Sequence, residues 1–200
     1  TRAGQNGEAD NLNAKDSAFG AIDYFQSTDW NSVDLRYSLE VYDAKADFSN
    51  TTEVLPVKDR QVIIKDSYEP VVFNLRLAPN REYRFVVFAD FVKEGSLVTV
   101  NDKTMLEHQA NLGLHHTIGA DLRSITIKDD AINEECTDAY FAFEDIEITN
   151  SAAKDIVLRR PYGKVRVIAT DLAELNLNID PKAVKVTYTA KHPQTFNAVT

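Results

Sequence analysis

Residues 155–171, DIVLRRPYGKVRVIATD, hold two β-type runs on either side of a bend. The runs are 156–158 and 164–170, joined through Arg159, Arg160, Pro161, Tyr162 and Gly163. A proline supplies no ladder donor and fixes φ, so Pro161 belongs at a strand edge, a bulge or a crossing between sheets. Gly163 permits a bend that a Cβ would hinder. Beyond the bend, Val165, Val167 and Ala169 point to one side and Arg166, Ile168 and Thr170 to the other. A strand that enters, bends and continues into a second hydrophobic environment predicts a β-sandwich. Nothing in this stretch carries catalytic chemistry, and Arg159, Arg160, Lys164 and Arg166 are expected at the surface or at strand edges.

Working outward, the other runs agree. Residues 34–43, DLRYSLEVYD, put Leu35, Tyr37, Leu39 and Val41 on one face and Arg36, Ser38, Glu40 and Tyr42 on the other, which predicts a sheet with one buried and one wet side. Residues 71–77, VVFNLRL, predict another strand before a turn at Ala78-Pro79-Asn80. Residues 83–92, YRFVVFADFV, are apolar on both faces and predict a central strand covered on both sides. Residues 139–149, AYFAFEDIEIT, alternate until a slip at Glu144-Asp145 that suggests a turn between two short strands. Residues 183–190, AVKVTYTA, predict a strand, and 54–57, 61–65, 97–100 and 122–127 predict short or weak ones. Helical expectations are confined to 14–25 and to single turns near 104–109 and 172–180. The total is an all-β Greek-key sandwich of about seven to nine strands with little helix.

Three regions follow. Residues 1–33 form an N-terminal extension, pinned over the surface by Phe19, Ile22, Tyr24, Phe25 and Trp30. Residues 34–192 form the sandwich. Residues 193–200 read as a linker or tail of the kind that leads to a second domain.

Composition bounds the function. The net charge of −9 argues against a nucleic-acid partner, and the Lys and Arg residues are scattered rather than clustered for anionic lipid. No apolar run reaches transmembrane length. Cys136 is the single cysteine, so no intrachain disulfide forms. No signal peptide opens the chain, which fits a cytosolic protein or a mature chain whose signal has been removed. Thr1-Arg2-Ala3 carries no initiator Met, which favours the second.

The residues that bear chemistry read more simply as structure. His115 and His116 are adjacent and point apart, and His108 and His192 complete no ligand motif. The acidic run 129–135 lacks the order of a calcium loop. Asp145 and Glu147 share a strand face, where solvent exposure is commoner than a glycosidase pair. Cys136 lies beside acidic residues that dull a thiol. With no GxSxG, GxGxxG or P-loop, neither an enzyme nor a cofactor or metal is expected. The ordinary role of Tyr24, Phe25 and Trp30 is to tack a loop onto the sandwich; the lesser reading is a platform for a sugar, with Trp30 as the candidate aromatic contact.

Four stretches carry a resemblance: LRYSLEVYDA (35–44), YRFVVFADF (83–91), CTDAYFAF (136–143) and LRRPYGKVRVIATD (158–171). In order along the chain they resemble the fimbrillin family, surface lipoproteins and type V pilus components of Bacteroidales. The Arg-Pro-aromatic-small-Lys-hydrophobic pattern at 160–165 is the most specific part. The resemblance spans about residues 34 to 190. It implies a transthyretin-like Greek-key sandwich, export to the cell surface or outer membrane, and membrane attachment only through a lipid on the precursor. It implies assembly by donor-strand exchange after a trypsin-like protease cuts behind an arginine, for which Arg2 is the candidate. The partners would be other pilus subunits, or host surface proteins and glycans. Complete pilins usually carry a second sandwich domain, which this chain does not show. The alternative is a surface glycan- or protein-binding sandwich that does not polymerise.

Overall fold

Strict alternation in one strand and apolar residues on both faces of another assemble the central layer. The computed structural model describes residues 2–3, 31–50, 53, 55–96, 113–128, 138–151, 153–161 and 195–200. All of them fall in one of two compact units, Thr1–Pro161 with Gln194–Thr200. The other unit, Tyr162–Pro193, lies outside the described residues. The described residues are all-β. Their strands are β1 (Arg2–Ala3), β2 (Val33–Asp43), β3 (Asp59–Lys65), β4 (Arg81–Lys93), β5 (His116–Ile118), β6 (Ile125–Ile127), β7 (Ala139–Ile148), β8 (Val157–Leu158) and β9 (Thr195–Phe196).

A four-stranded antiparallel sheet, ordered β3-β2-β4-β7, forms the main layer. A three-stranded antiparallel sheet, β5-β6-β9, lies on one of its faces, and β1 pairs in parallel with β8. The strand over 83–92 is central, as expected. Its Tyr83, Phe85, Val87, Ala89 and Phe91 join one hydrophobic cluster with Leu35, Tyr37, Leu39 and Val41 of β2. Its Val86 and Phe88 join a second cluster with Tyr42, Leu122, Ile125, Ala198 and Val199. Each large side chain removed from water contributes roughly 1.5–3 kcal/mol, so burying both faces of one strand makes β4 the axis of the unit. Two antiparallel sheets packed through a shared apolar layer have the organisation expected of a sandwich.

Several sequence expectations are corrected. The polar face of β2 is not wet: Asp34, Ser38 and Glu40 are almost fully buried and Arg36 is completely so. The β5-β6-β9 layer and the turn at 119–124 cover it, and partner groups rather than water satisfy its charges. Residues 71–77 alternate inward and outward as a strand would, with Phe73, Leu75 and Leu77 packed on the first cluster. They form no ladder among the described residues, so this run covers the sheet without joining it. The slip at Glu144-Asp145 is not a turn, because β7 runs unbroken from Ala139 to Ile148. Phe143, Asp145 and Glu147 are exposed because the covering layer stops short, so the change is one of burial and not of chain direction.

Residues 195–200 are no free tail. β9 completes the second sheet, Ala198 and Val199 are fully buried, and the Ala198 amide bonds the Leu122 carbonyl at 3.0 Å. His116–Ile118 forms a strand where no period was visible in the sequence. The expected helix over 14–25, the run at 97–100, the helical turns at 104–109 and 172–180, the strand at 183–190 and the continuation of the opening stretch beyond Pro161 lie outside the described residues.

Candidate functional site

The sheet's outer edge at β7 follows from the ladder phase. In an antiparallel pair, alternate residues turn their main-chain groups to one neighbour or the other. Phe141 exchanges both main-chain bonds with Arg159, N to O at 2.8 and 2.9 Å, on the side away from β4. Phe143, Asp145 and Glu147 follow in the same phase and face outward too. Among the described residues nothing bonds them there. Among the described residues the strand therefore begins with its outer edge capped and ends with it bare. Arg159, directly after β8, provides the cap, and β8 itself pairs with β1, where Arg2 stands opposite Val157 and Ala3 opposite Leu158.

Next to this bare edge the apolar surface continues. Ile146 and Ile148 are half-buried at the margin of the first cluster, and Phe143 is 38% exposed on the other face. Arg84 covers part of that second face. Its guanidinium lies over the Phe48 and Phe143 rings, 4.2 and 4.9 Å from their centroids. It also donates to both Asp145 oxygens at 2.7 Å and to the Val199 carbonyl at 3.0 Å. Those bonds hold the Asp145 carboxyl below its usual range.

A buried polar seam lies under the second layer. Arg36 donates to both carboxylate oxygens of Asp90 at 2.8 and 2.7 Å, and neither side chain is exposed at all. His116 stands beside this pair, its ring edge-on to Phe88 at 5.7 Å. Burial pushes the imidazole below its ordinary value, and Arg36 and His115 act in the same direction against Asp90 and Asp138. Gly113 fits here because a Cβ would meet the Asp90 carboxylate and the His116 carbonyl. Glu40 is held by the Tyr42 hydroxyl, the Leu122 amide and Arg60. Burial raises its carboxyl despite these partners, and burial together with Glu40 raises Tyr42 well above its ordinary value. Arg123 clasps Asp121 and the carbonyls of Asn50 and Glu53. Arg160 is half-buried beside the Arg159 bridge, where it pairs with buried Asp138 at 2.9 Å and lies over the Tyr140 ring. Each of these groups ties one layer or loop to another. The seam therefore fastens the layers together.

Among the expected site residues, Arg2 falls in β1 and Trp30 lies outside the described residues, as do Tyr24, Phe25, residues 129–135, Cys136, His108 and His192. His115 is half-buried and His116 buried, and among the described residues no three His, Cys, Asp or Glu side chains are placed to share a metal ion. Asp145 and Glu147 are exposed, as their shared strand face predicts. Sequence reading missed the Arg36–Asp90 pair. A lone Asp inside the apolar run at 83–92, with an Arg on an alternating strand, was the available signal: a charge at a central position needs a partner.

No curated protein and no solved structure matches the chain. A family model does, over residues 3–200. The chain belongs to that family, DUF6562, described as a family of unknown function.

Proposed function

We propose that this chain is a non-enzymatic structural or adhesive protein of the cell surface, related to fimbrial subunits and assembled by protease-triggered donor-strand exchange. The observation that carries the reading is the half-capped edge of β7. A strand with unbonded amides and carbonyls beside apolar side chains is a template for β-augmentation. An incoming strand would bond the outward groups of Phe143, Asp145 and Glu147. Its alternate side chains would extend the apolar surface at Ile146 and Ile148, so main-chain and hydrophobic gains come together.

The Arg2 reading fits the same place. β1 is held to β8 by a two-residue parallel pair, and cleavage after Arg2 would separate those two residues. Such a contact is short enough to be released without dismantling the sheet. In this reading the fold is transthyretin-like with Greek-key connections, the protein is exported, and a lipid on the precursor attaches it to the membrane. Its partners are further subunits or host-surface proteins and glycans. The acidic balance suits a solvated surface facing outward.

The test uses the full-length precursor with and without a trypsin-like protease. Treated protein should form a ladder of oligomers that resists mild denaturant, and an Arg2→Gln precursor should not. A treated wild-type precursor that remains monomeric overturns the proposal.

A further inference from the structure

The opposite edge of the main sheet is β3, DRQVIIK. Lys58 donates to the Val41 carbonyl, so Val41 and every second residue of β2 turn their main chain towards β3. Opposite those residues stand Asp59, Gln61, Ile63 and Lys65. Arg60, Val62 and Ile64 therefore turn their main-chain groups outward. The Arg60 amide is met there by its neighbour's carboxylate, Asp59 Oδ1 at 2.8 Å. Nothing else among the described residues makes a main-chain bond along that edge. Residues 59–64 are only half-buried and Lys65 is exposed, so the edge reaches solvent.

We propose that β3 pairs antiparallel with β3 of a second copy, about a two-fold axis through Val62, joining two four-stranded sheets into one. Three features of the strand select this register. First, the closely bonded positions would be Val62 against itself and Arg60 against Ile64, which are the residues whose main-chain groups point outward. An axis midway between two residues would present groups already used by β2. Second, the intervening pairs are Asp59 with Lys65 of the second copy, twice by symmetry, and Gln61 with Ile63. Side chains approach most closely in such non-bonded pairs, and opposite charges there are stabilising. Third, an axis through any other residue of the strand keeps the outward phase but loses both ion pairs. Charges at an edge strand ordinarily deter pairing with other chains. Here the same charges complement one another when the strand is turned against itself, which restricts the edge to one partner, a second copy. The contact is isologous and closed. It lies on the edge away from β7 and needs no proteolysis, so it stands or falls separately from strand exchange.

Sedimentation velocity over a wide concentration range tests it on the untreated chain. The expected result is a monomer–dimer equilibrium. Asp59→Lys or Lys65→Asp alone should weaken it about tenfold, because two like-charge pairs replace two opposite ones, and the double exchange should restore it. Val62→Pro should abolish the dimer while leaving the melting transition in place, since the Val62 amide takes no part in the β2 ladder. A monomer at every concentration overturns the proposal. So does a dimer that neither single exchange weakens.

Discussion

Replacing Asp90 by Ala leaves the Arg36 guanidinium under the second layer without its carboxylate. Both side chains are wholly buried, and two hydrogen bonds of 2.8 and 2.7 Å join them. Removing one partner of such a pair costs about 3–5 kcal/mol, because the remaining charge is still desolvated. For a chain of this size that corresponds to a fall in melting temperature of roughly 6–20 °C. Exchanging both partners, as Arg36→Met with Asp90→Leu, removes the two charges together and should recover most of the loss, to within about 1–2 kcal/mol of wild type. Urea titrations of the wild type, the single variant and the double variant, followed by circular dichroism, measure all three. A loss below about 1 kcal/mol for Asp90→Ala would mean that the guanidinium reaches water, and the covered polar face would be refuted.

The neighbouring His116 makes the unit pH-sensitive. Its imidazole titrates below its ordinary value when folded, so the unfolded chain binds the proton first, and stability is lost as pH falls from about 6.5 through the folded value. The difference in urea midpoint between wild type and His116→Gln should carry that slope, and a pH-independent difference would contradict the assignment. Gly113→Ala should cost about 1–3 kcal/mol, read from the same titrations, because the new methyl group meets the Asp90 carboxylate and the His116 carbonyl. Val199→Ala should cost about 2 kcal/mol if residues 195–200 are core, and a cost near zero would return them to the status of a tail.

The main sheet was legible because its strands obey one local rule each. The period-two pattern at 34–43 and the doubly apolar run at 83–92 mark β2 and β4, because side-chain direction alone decides which residues meet the core. What covers each face is not local. The wet side expected for Arg36, Ser38 and Glu40 failed because alternation records polarity, and polarity equals exposure only when no second layer supplies partners. Residues 71–77 show the converse, since alternating burial does not require ladder bonds. β5 and β9 are too short for a period to show. The edge of β7 that is bare among the described residues could not be read from sequence at all, because it depends on where Arg159 stops pairing. Its trace was the slip at Glu144-Asp145, a change in cover that looks like a change in direction.

Residue-resolved hydrogen exchange on β7 tests the open edge most directly. The amides of Phe143, Asp145 and Glu147 should exchange rapidly in the untreated chain, while those of Phe141, bonded to Arg159, and of the β4 interior are protected. After protease treatment and assembly the three fast amides should become protected together. Protection of all three in the untreated monomer, or no gain of protection on assembly, would contradict the account.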